Sequence, residues 1–295
     1  MRLAKIAAAL LLTACLPTGV APPTATAGPA ELLFASGFER GVRLEPPREG
    51  YQRLVGRDRE TGFSWPISIL GARESALHPI DHDDHKAVFA RLVNTRGHDG
   101  RPTRALYQEM AYEVGDCCTQ MPYEILDITD GRRDLYIRFW IKLDGASLHK
   151  PNMWRTFFEW KSKDYRDAGE GSKGFRLISF IYSDENGRPY FSFQGDRDPE
   201  HQLWEIDNRA IPVPEDEWFL NEFYWHWSTG RDGRAIWRVN GQVVGDHSGP
   251  STRNGKPIDF MMISQIYGNS SPKYQFFDDL EIWSGWPTER AGPLP

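Results

Sequence analysis

LYIRFWIKLDGASLHKPNMWRTFFEWK, residues Leu135–Lys161, alternates side chains in the way β-strands do. In its first half Leu135, Ile137, Phe139, Ile141 and Leu143 take turns with Tyr136, Arg138, Trp140 and Lys142, the two-residue period of a strand with one side on a core. The other side carries two rings and two cations, groups that suit a sugar ring and a carboxylate better than bulk water. In the second half Trp154, Thr156, Phe158 and Trp160 alternate with Arg155, Phe157, Glu159 and Lys161. Two neighbouring strands then form one basic and aromatic floor.

The same rhythm continues outward on both sides. Phe175–Tyr182 and Tyr190–Gln194 read as a hairpin across Asp184-Glu185-Asn186-Gly187, because Asn-Gly supplies the positive φ angles of a tight turn. Phe219, Asn221, Phe223, Trp225 and Trp227 alternate with Leu220, Glu222, Tyr224 and His226. Arg231-Asp232-Gly233 turns the chain into Ala235–Val239, and Asn240-Gly241 turns it again into Gln242–Val244. Met261–Tyr267 and Phe276–Trp283 close the domain, while Leu32–Glu39 opens it. Lys86–Val93 and Ala105–Val114 are further strands, and residues 40–85 read as long loops with short strands. No internal repeat and no long helix interrupts this pattern. A dozen or so short strands predict an all-β single domain over residues 32–287, two packed antiparallel sheets in a β-sandwich or jelly roll, followed by a tail at 288–295.

At 295 residues the chain buries a sizeable core, and its 11 Trp among 13% aromatics supply stacking surfaces. Arg2 and Lys5 precede an apolar run from Ile6 to Leu12, an export signal too short to span a membrane. Leu12-Thr13-Ala14-Cys15 resembles a bacterial lipobox, with Cys15 as the lipidated first residue of a mature lipoprotein of the outer membrane, periplasm or cell surface. The rival reading is a secreted protein cleaved after Ala25-Thr26-Ala27. Residues 16–31, rich in Pro, Ala and Thr, read as a tether. Cys117 and Cys118 are open to a vicinal disulfide or to two free thiols, and neither is given a catalytic role.

The net charge is −6, and loss of residues 1–14, which carry Arg2, Lys5 and no acid, makes it −8. That balance excludes nucleic acid as a partner. An anionic polysaccharide remains a partner if a local basic groove overrides the overall field. The membrane is met through the lipid anchor alone, and the protein is read as a monomer.

Phe34–Glu39, WFLNEFYWHWSTGRDGRAIWRVNGQVV (Trp218–Val244) and FFDDLEIWSG (Phe276–Gly285) together resemble the concanavalin A-like jelly roll, whose closing strand pairs with the opening one. Within that superfamily the layout is most similar to the jelly-roll polysaccharide lyases of the alginate, glucuronan and heparin type. The resemblance implies an early strand at Arg104–Met110 with Arg104, Gln108 and Glu109, and a late strand with Gln265 and Tyr267. Where those enzymes carry Gln-x-His, this chain has Glu159-Trp160-Lys161, so their histidine is missing. The resemblance also implies structural Ca²⁺ at Glu39 with Asp278 or Asp279, where first and last strands meet, since oxygen ligands suit that ion. The other reading of these acids is an edge cap facing solvent.

A uronate lyase removes the C5 proton beside a carboxylate and expels the 4-linked oxygen, so it needs cations, a base and an acid. Arg138, Lys142, Lys161 and Arg104 are the cations expected to meet the carboxylate, Tyr267 the base or acid with a phenolate favoured by those cations, and His226 its counterpart. Tyr136, Trp140 and Tyr224 are stacking platforms, and Gln108, Glu159 and Gln265 complete the expected substrate contacts. The same groove without catalysis reads as a carbohydrate-binding protein of laminin-G or lectin type. Glycoside hydrolysis ranks third, because Glu205-Ile206-Asp207 begins a Glu-x-Asp-x-x-Glu signature that no second Glu completes. His78, Asp81, His82, Asp83, Asp84 and His85 are metal-ligand types in a segment without regular pattern, which reads as a solvated loop. No cofactor is required by the leading reading.

Overall fold

A computed structural model describes residues 29–46, 52–66, 75–77, 81–82, 85–86, 88–110, 119–126, 132–162, 175–196, 202–253, 260–270 and 272–295. Cys15, the tether up to residue 28, Cys117 and Cys118 lie outside the described residues.

The chain runs through β1 (Leu32–Ser36), β2 (Arg43–Leu44), β3 (Gln52–Arg57), β4 (Ser64–Trp65), β5 (Ser75–Leu77), β6 (Asp81–His82), β7 (His85–Lys86), β8 (Val88–Arg96), β9 (Pro102–Met110) and β10 (Thr119–Leu126). It continues through β11 (Asp134–Leu143), β12 (Trp154–Lys161), β13 (Arg176–Ser183), β14 (Pro189–Asp196), β15 (Gln202–Asn208) and β16 (Trp218–His226). Then come β17 (Arg234–Val239), β18 (Gln242–Ser248), β19 (Phe260–Gly268), β20 (Gln275–Trp283) and a single helical turn, α1 (Thr288–Ala291). The first sheet is ordered β18-β17-β16-β11-β20-β9-β8, with β1 also on β20; the second is ordered β15-β14-β13-β12-β19-β10-β5-β3-β2, with β4 on β3. The described pairings are antiparallel, and the two sheets form a jelly-roll β-sandwich. As the jelly-roll resemblance implies, the opening strand lies on the closing one, with Ala35 opposite Glu281 and Ser36 opposite Leu280.

The alternation read in the sequence sets which side chains meet between the sheets. Leu135, Ile137, Phe139, Ile141 and Leu143 of β11 are buried, as are Phe219, Phe223, Trp225 and Trp227 along and just after β16. Phe158 of the second sheet stacks on Phe223 of the first at 4.3 Å, and Trp160 stacks on Trp225 at 5.3 Å. Asn240 and Gly241 both take positive φ, 48° and 78°, which is what a two-residue turn between β17 and β18 needs.

One expectation fails here. β11 and β12 are not neighbours: β11 pairs with β16 and β20, whereas β12 pairs with β13 and β19 in the opposite sheet. Asp144–Met153, with a 3₁₀ turn at Gly145–His149 and Asn152 at φ 54°, carries the chain across the sandwich edge. The outward faces of β11 and β12 therefore look in opposite directions, and no single floor joins them. A bulge between Thr156 and Phe158 also breaks the simple alternation of β12. Phe157 and Phe158 both enter the core, and Arg155 is buried between the sheets, donating to Gln275 Oε1.

Candidate functional site

The outward face of the second sheet gathers polar and aromatic side chains in rows. Register aligns Glu159 of β12, Ile178 of β13, Gln194 of β14 and Glu205 of β15. One row along, Lys161 faces Arg176; on the other side Tyr267 of β19 faces Thr156, which faces Phe180, then Ser192 and Asp207. Trp154, Tyr182 and Tyr190 form a row of rings beside them.

Glu159 is 1% exposed and holds two cations, Lys161 Nζ at 2.8 Å and Arg176 Nη1 at 3.7 Å. Such burial is tolerable for a carboxylate because the ion pairs replace its water. Lys161 Nζ also lies 3.2 Å from Met262 Sδ. Tyr267 meets Trp154 edge-on at 5.0 Å. Its phenol is pushed above the ordinary tyrosine value, first by burial and then by Glu159, with Arg176 opposing. The phenolate expected from the nearby cations is thus corrected: desolvation outweighs them, and Tyr267 stands protonated at neutral pH. Gln194, buried, lies within hydrogen-bond distance of Ser192 Oγ, Tyr182 Oη and Glu205 Oε1. Burial, opposed by the Gln194 contact and reinforced by Glu205, pushes Tyr182 up to about 12. The Arg209 guanidinium sits 3.5 Å above the Tyr190 ring.

Of the residues expected to form one site, Lys161, Tyr267 and Glu159 are the ones that share this face among the described side chains. Gln265 lies in β19, and its side chain is outside the described residues. Arg138 and His226 are corrected: both lie on the outward face of the first sheet. Arg138, 8% exposed, stands opposite Glu222 and Glu281, and His226 Nδ1 lies 2.8 Å from Asp134 with Nε2 3.5 Å from Asp232. Tyr136, Tyr224, Trp140 and Lys142 are on that face too. Tyr136 donates to Glu222 and Tyr224 to Asp134; Trp140 stacks flat on His98 at 3.9 Å, and Lys142 lies over Tyr274. Arg104 donates to the Glu39 and Val42 carbonyls, and Gln108 is buried between the sheets on the Ser264 carbonyl. Their polar groups serve strand packing.

Glu39, Asp278 and Asp279 line one hollow of about 300 Å³ beside β20 of the first sheet. Glu39 and Asp278 share the Thr103 hydroxyl, Asp279 turns to His98 Nε2 at 3.2 Å, and among the described residues no group of three or more acids, His or Cys is placed to hold an ion. The His78–His85 side chains lie outside the described residues.

Sequence reading missed Arg176, Tyr182 and Gln194, and weighed Glu205 only as part of an incomplete glycosidase signature. The signal was present for the first three: pairing the predicted hairpin in register about Asn186-Gly187 puts Tyr182 against Tyr190, Ile178 against Gln194, and Arg176 at the far end.

Fold and face together define a jelly-roll sandwich with a ringed polar sheet face. No protein-family model and no curated protein sequence matches the chain. Among solved structures it is similar to the alginate lyase Aly36B at 17% identity and a TM-score of 0.47, covering 65% of this chain and 82% of that one. It is also similar to an endo-β-1,4-glucuronan lyase from the fungus Trichoderma reesei, at 12% identity and 0.49 over 70% of this chain and 89% of that one. A marine alginate lyase from Aplysia kurodai matches at 12% and 0.47, covering 85% and 98%.

Proposed function

We propose that the outward face of the second sheet binds a uronate-containing polysaccharide and cleaves it by β-elimination. The observation that carries this is the cluster Lys161–Glu159–Arg176, two cations on one buried carboxylate, within electrostatic reach of a protonated Tyr267. A substrate carboxylate arriving at Lys161 and Arg176 competes with Glu159 for them. Its own charge is then offset, which acidifies the neighbouring C5 proton. Glu159, losing cation contact, becomes a stronger base and takes that proton. The C4–C5 double bond forms as the C4–O4 bond breaks, and Tyr267 delivers its phenolic proton to the departing oxygen. Trp154, Tyr182 and Tyr190 offer flat surfaces to the sugar rings.

The test is ultraviolet absorbance of the unsaturated uronate during incubation with a polyuronate and glycosaminoglycan panel. Tyr267→Phe is expected to lower kcat by about 100-fold or more while polymer retention in affinity gels stays within about threefold. Unchanged turnover removes Tyr267 from the chemistry. A second reading is favoured by one observation: His226, the imidazole expected to share the proton work, is on the other sheet. That reading is a carbohydrate-binding protein using the same rings without catalysis, and retention without any unsaturated product selects it.

A further inference from the structure

We infer that the hollow beside β1 and β20, on the outward face of the first sheet, is a separate ligand site that takes a sugar monocarboxylate with its carboxylate on Arg138. It lies on the sheet opposite the Lys161 face, and it does not rest on the lyase reading.

The hollow measures about 260 Å³, room for a single sugar acid. Arg138 and Trp140 of β11, Asp279 and Glu281 of β20, His98 and Arg290 line it. The acids around Arg138 already have cations of their own. Glu222, opposite it on β16, is held by Arg238 at both carboxylate oxygens and accepts from the Tyr136 hydroxyl. Glu281, opposite it on β20, is held by Arg290 at both oxygens and accepts from Trp283 Nε1. Asp279 lies 3.2 Å from His98 Nε2; burial raises its carboxyl, and His98, ahead of Arg138, draws it down. Arg138 is the cation left over. It is 8% exposed, makes no ion pair among the described residues, and its Nε is buried with no hydrogen-bond partner.

A guanidinium keeps its charge and carries five N–H donors in one plane, so in a shielded hollow it calls for acceptors. A carboxylate matches that fork with two parallel hydrogen bonds. The rest of the wall narrows the ligand. Trp140 and His98 stack flat at 3.9 Å, which gives the hollow an apolar side and favours an acid with a carbon ring over a bare inorganic anion. Asp279, its side chain 48% exposed, offers carboxylate oxygen to ligand hydroxyls. Together with Glu281 it also repels a second negative charge, so a dianion is disfavoured.

The test is calorimetric titration of the full chain with glucuronate, glucose and sulfate at constant ionic strength. Glucuronate is expected to bind, with glucose and sulfate at least about tenfold weaker. Arg138→Lys keeps the charge and loses the fork, and is expected to weaken glucuronate about tenfold. Glu281→Gln removes an acid in register with Arg138 and is expected to strengthen glucuronate about threefold, a gain that a misfolded variant does not give. Absence of glucuronate binding overturns the assignment. So does an affinity that both variants leave intact, or equal affinity for glucose or sulfate.

Discussion

Thr103 Oγ1 lies 2.9 Å from Glu39 Oε1 and 3.0 Å from Asp278 Oδ2, and a hydroxyl has one proton to give. Both contacts are satisfied when Asp278 is itself protonated, donating to Thr103, which donates to Glu39. Burial gives the same answer: with Asp279 and Glu39 adding repulsion, it raises the Asp278 carboxyl to about 8. An unfolded aspartate ionises near the ordinary value of 3.8, so the native state holds a proton that the unfolded state has released. Stability conferred by that proton is complete below about pH 4 and is lost as pH rises toward about 8. Asp278→Asn is expected to flatten the fall in Tm across that window, and an unchanged slope would show that Asp278 is ionised in the fold. His226 has the same sign for a different reason. Its hydrogen bond to Asp134 holds it above the ordinary histidine value of 6.5 against desolvation. Its contribution fades above about pH 6.5, and His226→Gln should remove that part of the slope.

Residues 284–295, which follow β20, lie across the outward face of the first sheet. Trp286 meets Tyr136 at 5.4 Å and Tyr224 at 5.7 Å, both edge-on, beneath the Arg238 guanidinium at 4.9 Å. Arg238 donates to the Ala291 carbonyl, Arg234 to that of Pro295, and Arg290 pairs with Glu281. This strap occupies the surface where Tyr136 and Tyr224 were expected to stack on sugar. Trp286→Ala is expected to destabilise the fold by about 2 kcal/mol in denaturant titration, less than for a fully buried tryptophan, with turnover on the opposite sheet retained. Proportional loss of turnover in the folded variant would mean that the two faces are coupled. The sequence made the strands legible because a period of two identifies a half-buried strand, and Asn240-Gly241 identifies its turn. It did not make pairing legible. Leu143 and Trp154 are separated by a segment too long for a tight hairpin, and periodicity is silent on which sheet receives the next strand. Hence Lys161 and Tyr267 share the outward face of the second sheet, whereas Arg138 and His226, grouped with them by their own alternation, lie on the first.

For the whole molecule, the net charge of −6 and the two cations Lys161 and Arg176 would act on a polyanion over different distances. Repulsion from the surplus acids is long-ranged and is felt before contact. Attraction at the two cations is felt only within the face, where Lys161 and Arg176 are largely shielded from solvent. Salt screens the first more readily: the Debye length shrinks from about 30 Å at 0.01 M to about 10 Å at 0.1 M, while partly buried pairs are screened much less. Association of an anionic polymer should therefore quicken as salt rises through that range, and weaken only at higher salt when contact pairs are screened in turn. A protein whose surface is basic overall shows the opposite, a steady loss of affinity from the lowest salt upward. Stopped-flow association of a fluorescent uronate polymer, followed against ionic strength, separates the two. An association rate that falls monotonically from 0.01 M, the lower limit of about 30 Å screening, would mean that a basic surface larger than this cluster captures the polymer.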